Sequence, residues 1–293
     1  MKVTGTPFRH RSAFRRSLAV AGGALAGLTA LAFAVPGTAT AATAPAPAAA
    51  HSHISHPQLD WMGSTVAAHE GTAQAAPGTV GPLVAQTPGM DVSAYQGSVN
   101  WAGAWANGGK FAYIKATEAT TYTNPDFTQQ YNGSYNVGMI RGAYHFATPD
   151  TSSGAAQADY FVAHGGGWSA DGKTLPPMLD IEYNPYGAEC YGLSASGMVG
   201  WISSFVNEVH AKTTRWPTIY STTDWWTTCT GNSSAFSTND PLFIARYSSS
   251  AGTLPAGWGF YTFWQYADSG TFPGDQDYFN GALDRLQALA LNQ

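Results

Sequence analysis

From Gly89 onward the chain alternates short apolar runs with longer stretches of helical periodicity, and this alternation constrains the fold more than any other feature. The apolar runs predict strands over residues 90–92, 110–116, 140–147, 177–182, 217–221, 241–247 and 261–266. Helical stretches fall between them. One follows Pro125, one covers 153–164, and one closes the chain near 281–291. The clearest spans about 196–212, with Met198, Trp201, Phe205 and Val209 on one stripe. Strand, helix, strand in a single domain implies a β/α architecture with right-handed crossovers and a parallel sheet. Polar residues collect at the C-terminal ends of the runs, where barrel active sites lie, so a barrel is favoured. A doubly wound open sheet competes, but it would lack the Gly-rich dinucleotide fingerprint after its first strand.

The run ending Leu179-Asp180-Ile181-Glu182 carries two carboxylates. Residues two apart on a strand share a face, so Asp180 and Glu182 project together and Leu179 and Ile181 turn away. Two adjacent carboxylates repel, and one pKa rises. The result is one group able to donate a proton near neutral pH beside one that stays ionised, as glycosidic cleavage requires. A bare Asp-x-Glu is also common at solvated strand ends, so its value depends on its surroundings.

Those surroundings are consistent. Asp91 ends the first run; Lys115 and Glu118 end the second; Tyr144 and His145 lie at the end of the third. Tyr220, Arg246, Trp264 and Tyr266 end later runs, and Asp277 follows near the close. In a barrel these converge on one rim, with acids among aromatics. His145 reads as a packed, hydrogen-bonded residue rather than a base, and Arg246 and Lys115 as counterions or substrate contacts.

The first residues lie outside this pattern. Lys2, Arg9, Arg11, Arg15 and Arg16 precede an apolar run over 18–35, followed by the small-x-small site Ala39-Thr40-Ala41. Residues 1–41 read as a secretory signal peptide, with the twin-arginine and general routes both open. Its removal takes five cations and no acids, leaving 8 Lys+Arg against 18 Asp+Glu, a net charge of −10. Such a chain carries no electrostatic footprint for nucleic acid, and no membrane anchor remains. Aromatics at 13% of residues, against 11% charged, suit a cleft that stacks sugar rings.

Residues 42–87 are rich in Ala, Pro, Thr and Gly and read as a linker or pro-segment before a catalytic domain over 88–293. An island, His56-Pro57-Gln58-Leu59-Asp60-Trp61-Met62-Gly63, interrupts it. Its Trp-Met pair is unusual in a linker and suggests docking at a place the sequence does not name. His51, His53 and His56 read as solvated rather than metal-binding. No His/Cys/Asp cluster has ligand spacing, so neither a metal nor a cofactor is expected. Cys190 and Cys229 form an even pair in an exported chain, which predicts one disulfide worth about 3–4 kcal/mol.

Six motifs occur in order: Met90-Asp91-Val92-Ser93-x-Tyr95-Gln96-Gly97, Tyr113-Ile114-Lys115-Ala116-Thr117-Glu118, Gly142-Ala143-Tyr144-His145-Phe146, Leu179-Asp180-Ile181-Glu182, Ile244-Ala245-Arg246-Tyr247 and Trp264-Gln265-Tyr266. Together they resemble glycoside hydrolase family 25, the Ch-type lysozymes, over residues 89–281. The cysteine pair resembles the disulfide of secreted bacterial members. The resemblance implies a modified, flattened β/α (TIM-like) barrel, acting as a monomer on peptidoglycan glycan strands. It implies cleavage of the β-1,4 bond between N-acetylmuramic acid and N-acetylglucosamine. By position Glu182 matches the general acid, and Asp180 the carboxylate that orients the substrate's 2-acetamido group. Asp91 matches an acid on the cleft floor and Asp277 a late acid on its rim. Two departures stand out: Ala119 where Gly is usual, and a shorter ending around Asp277.

The resulting expectation is acid catalysis by Glu182 with the acetamido oxygen as nucleophile, giving retention. Inversion, with water activated by Asp91 or Asp277, is the second course. Two other functions share the pattern: a chitinase-like acetamido-sugar hydrolase and a wall-binding barrel without catalysis.

Overall fold

In the computed structural model, residues 54–72 and 85–293 are described. The predicted signal peptide over 1–41, His51 and His53, and the remainder of the 42–87 segment lie outside the described residues.

Among the described residues, nine strands and seven α-helices follow one another. They are α1 (Val66–Glu70), β1 (Thr87–Val92), α2 (Trp101–Ala106), β2 (Phe111–Glu118), β3 (Tyr122–Thr123), α3 (Phe127–Asn136), β4 (Ile140–Phe146) and α4 (Gly154–Ala163). Then come β5 (Met178–Asp180), α5 (Ala195–Thr213), β6 (Thr218–Ser221), α6 (Thr223–Thr230), β7 (Leu242–Ala245), β8 (Phe263–Ala267), β9 (Asp275–Phe279) and α7 (Leu283–Leu291). The strands run β1-β9-β8-β7-β6-β5-β4-β2-β3, and β1 also pairs with β2. Eight strands therefore close a barrel, with β3 as a short appendage to β2.

Every neighbouring pair from β1 through β2 and β4 to β8 is parallel, as the alternation implies. The closing strand corrects the expectation of a wholly parallel sheet: β9 runs antiparallel to both β8 and β1. No helix separates β8 from β9, and a short connection can return the chain only in the opposite direction. The strand escaped prediction because Asp275-Gln276-Asp277 is polar and Asp is a poor strand former.

Alternation along each strand separates one inner cluster from two outer ones. Inward residues Phe111, Tyr113, Met178, Phe243, Phe263 and Phe279 form one buried cluster. Its rings pack with Phe263 at the centre, 5.2 Å from Phe243 and Phe111, 5.3 Å from Phe279 and 5.5 Å edge-on to Tyr113. Leu286 and Ala290 of α7 join this cluster beside Phe279 and Ile140, closing the end away from the strand C-termini. Outward residues Ala143, Leu179, Ile219 and Ile244 pack instead against Phe161 of α4, Ile202 and Phe205 of α5 and the Trp225-Trp226 pair of α6.

The helices begin where hydroxyls can cap them. Ser153 accepts from Ala156 N–H at 3.3 Å, Ser194 from Gly197 N–H at 3.2 Å and Thr222 from Trp225 N–H at 3.0 Å. Cys190 and Cys229 are joined, with Cα atoms 5.3 Å apart, tying the loop after β5 to α6. Glu189 lies beside this disulfide, but both sulfurs are committed to each other.

Candidate active site

At the C-terminal ends of the parallel strands the inward positions change from aromatic rings to acids, amides and hydroxyls. Asp91 of β1, Lys115 of β2, Tyr144 of β4, Asp180 of β5, Tyr220 of β6 and Gln265 of β8 all lie buried there. Glu182 follows β5 by two residues and keeps its parity. Ile181 N–H still donates to Tyr220 O at 3.0 Å, and Ile181 and Leu179 lie in the outer cluster. The two carboxylates therefore share the inward face, as the spacing implies.

Both are held above the ordinary carboxylate range. Glu182 is pushed up to about 7, chiefly by burial, and the charge of Asp60 adds to the push. Hydrogen bonds from Thr65 and Gly63 oppose it. Asp180 is raised well above its ordinary value by burial first and the negative charge of Glu182 second, while Lys115 pulls it down. Repulsion by Glu182 contributes at Asp180, but loss of solvent is the larger cause at both. No protein group among the described residues donates to either oxygen of Asp180.

A second acidic group stands across the barrel. Gln265 Nε2 donates to Asp91 Oδ2 at 2.8 Å and to Asp275 Oδ2 at 2.9 Å. Its Oε1 accepts from the hydroxyls of Tyr220 at 2.6 Å and Tyr247 at 3.2 Å. Asp275 pairs directly with Asp91 across β1 and β9, whereas Asp277 pairs with Gly89. Because β9 runs backwards, Asp275 is level with the rim and Asp277 lies one layer deeper. Burial raises all three well above the ordinary carboxylate range; the charge of Asp91 adds to the effect on Asp277 and Asp275.

Lys115 and Glu118 form a buried ion pair at 2.5 Å. Tyr186, from the loop after β5, donates its hydroxyl to Glu118 and to Asp60. Three other sequence-predicted contacts do not face the interior. Trp264 belongs to the outer cluster and donates Nε1–H to Arg246 O at 2.9 Å. Tyr266 stacks on Tyr278 at 4.5 Å, and the Arg246 side chain is exposed. Strand parity accounts for all three: their neighbours Gln265 and Tyr247 point inward instead. His145 also faces outward, bonded to Thr117 at 2.8 Å and Gln157 at 2.9 Å, and burial lowers its pKa to about 3.

Sequence reasoning missed Asp275, Gln265, Tyr247 and Tyr186. Parity along the two predicted strands carried a signal for Gln265 and Tyr247. Tyr186 sits in a loop and carried none.

The space between these groups is taken by the island that the sequence placed in a linker. Gly63 N–H donates to Glu182 Oε1 at 2.6 Å, and the Thr65 hydroxyl donates to Oε2 at 2.6 Å. Met62 N–H donates to the Tyr144 hydroxyl at 3.2 Å; Met62 O accepts from Gln265 Nε2 at 2.9 Å. Gly63 O accepts from Tyr247 at 3.1 Å. Met62 and Val66 are fully buried within the barrel's inner cluster, each burial worth about 1.5–3 kcal/mol. The segment thus closes the acidic end of the barrel as α7 closes the other.

Residues 90–275 match the family described as Glycosyl hydrolases family 25. The N,O-diacetylmuramidase of Chalaropsis sp is 52% identical over 206 residues, covering 69% of this chain and 98% of that protein. Lysozyme M1 of Streptomyces globisporus is 50% identical over 220 residues, covering 73% of this chain and 75% of that protein. Among solved structures, the muramidase from Acremonium alcalophilum superposes with a TM-score of 0.69 at 61% identity, covering 70% of this chain and 99% of its own. The likeness therefore extends to fungal relatives, beyond the bacterial members that the cysteine pair suggested.

Proposed function

The chain belongs to glycosyl hydrolases family 25 and is a glycoside hydrolase; from that premise we propose that it is an exported muramidase whose acid is Glu182. The observation that carries this reading is the pairing of Asp180 and Glu182 on one buried inward face at the C-terminal end of the barrel. The named relatives, an N,O-diacetylmuramidase and a lysozyme at about half identity, support peptidoglycan as the substrate class. The basic and apolar leader supports export.

Glu182, whose raised pKa keeps a share of it protonated near neutral pH, transfers its proton to the glycosidic oxygen as the bond from that oxygen to the anomeric carbon breaks. The acetamido carbonyl oxygen of the muramic acid forms a new bond to the anomeric carbon, giving an oxazolinium ring. Asp180 accepts the acetamide N–H and balances the growing positive charge, with Lys115 behind it as counter-charge. Glu182, now a carboxylate, takes a proton from water; the water oxygen displaces the acetamide, and the configuration is retained. No enzymic nucleophile is needed, which suits two carboxylates on one strand.

Asp91 and Asp275 occupy the opposite wall at rim level, with Gln265 between them. They suit hydrogen bonding to sugar hydroxyls better than Asp277, which lies deeper. Tyr144, Tyr220, Tyr247 and Gln265 take the role of substrate contacts; Lys115 and Glu118 shape the far end. Trp264 and Tyr266 serve the outer packing, and the Arg246 side chain faces solvent.

Digestion of purified walls, borohydride reduction and mass spectrometry of the fragments test the bond cleaved. Muramitol ends are expected. Glucosaminitol ends would assign the chain to the chitinase-like alternative, and absence of any new reducing end, with residues 54–70 removed as well as present, would leave only a binding barrel.

A further inference from the structure

We infer that residues 54–70 are an intramolecular inhibitor: they hold the hydrolase closed until they are displaced or removed. This rests on Glu182 being the acid. Both of its oxygens accept hydrogen bonds from the segment, from Gly63 N–H at 2.6 Å and the Thr65 hydroxyl at 2.6 Å. No glycosidic oxygen can approach a carboxyl group so enclosed.

The segment fits as a ligand fits. The Met62 peptide is held on both sides, its N–H by Tyr144 and its C=O by Gln265. A peptide unit presents the same N–H and C=O as an acetamido group, so groups suited to the sugar also suit the chain itself. Position 63 admits only glycine. Its φ is +91°, and a Cβ there would stand 2.4 Å from the Tyr247 hydroxyl, 2.5 Å from Gln265 Oε1 and 2.8 Å from the Tyr220 hydroxyl. Flanking residues fasten both ends. Lys115 donates to Pro57 O at 3.0 Å and to Asp60 O. Trp61 lies 4.3 Å from Tyr95, His69 stacks 3.9 Å from Tyr183, and Glu70 accepts from Tyr183 at 2.7 Å.

The family fold does not include the segment. Residues 54–70 lie outside the family match at 90–275, and 69% of this chain accounts for 98% of the Chalaropsis protein. Docking within one chain is also within reach. Residues 73–84 can extend up to about 40 Å, whereas β1, which they precede, rises only about 20 Å along the barrel.

Two altered chains are compared with the unaltered one: Gly63→Leu, and a chain with a site-specific protease sequence in place of residues 76–82, measured before and after cutting. Each is assayed for wall lysis and, by calorimetry, for binding of a soluble tetrasaccharide of alternating N-acetylglucosamine and N-acetylmuramic acid. A competent fraction below one in ten means a gain of about tenfold or more in both readouts on release. Gly63→Leu and the cut chain should show it, while the exposed-site control Leu59→Ser should match the unaltered chain. Equal binding by the unaltered and both released chains, whether strong or absent, overturns the inference. Tighter binding without lysis in the released chains would uphold the inhibitor and refute the muramidase reading instead.

Discussion

Glu182→Gln, made in the released enzyme, is expected to lower wall lysis by about a thousandfold while the barrel folds as before. A positioned general acid contributes about 10²–10⁴ in rate, and Gln has no proton to give at any pH used. The change is mild for the fold because Gln keeps the shape of Glu182, and burial already favours the uncharged form of that side chain. The pH profile adds a second readout. Glu182 must be protonated to act, and burial holds its pKa above the usual carboxylate value of about 4.3. Lysis by the unaltered residue should therefore fall as pH rises through the Glu182 pKa, and the Gln variant should lose that alkaline limb. Residual lysis within tenfold of the parent, with the same alkaline limb, would remove Glu182 from the acid's role.

Asp180→Asn should cost about 10²–10³ in kcat with KM changed by less than a few-fold, measured with a soluble glycan. The Asp180 oxygens receive no hydrogen bond from described protein groups, and although burial and Glu182 favour the neutral form, the positive charge of a forming oxazolinium would draw out the negative charge of Asp180. That charge is required mainly when the oxazolinium forms, and loss of an interaction made only in the transition state lowers kcat rather than raising KM. A rise in KM with kcat unchanged would make Asp180 a ground-state contact.

Much of the barrel is legible in the chain because its inner and outer faces are both apolar. Phe243 and Ile244, or Leu179 and Met178, belong to opposite sides of β7 and β5, yet both read as buried strand. The exceptions have local causes. In β9 the inward positions near the rim are Asp275 and Asp277, acids that propensity places in loops. Helices α2 and α6 are six and eight residues long, too short for a clear period. That Asp180 and Glu182 share the inward face was legible from their spacing, since parity needs only two residues; any chemistry for the pair had to come from its surroundings. The opposite wall was not: Asp91, Gln265 and Asp275 meet only once the sheet has closed.

The docked island shows where sequence reasoning stops. Trp61 and Met62 announced a contact, but its other half comes from residues far along the chain, Gln265 and Tyr247, 203 and 184 positions from their partners. The requirement for glycine at position 63 exists only in that assembled surface. The same contact explains part of the site's electrostatics. Gly63 and Thr65 stand directly on Glu182, and Asp60 adds a negative charge nearby, so the pKa of the acid reflects the closed enzyme.

In the proposed reaction Glu182 and Asp180 work through the substrate's own acetamide. Proton NMR of the first product, recorded on the released enzyme with a soluble glycan before mutarotation, tests it most directly. The expected signal is the β-anomer at the new reducing end, which requires two displacements at the anomeric carbon. Initial appearance of the α-anomer would mean a single displacement by water, and would transfer the base's role to the wall of Asp91 and Asp275.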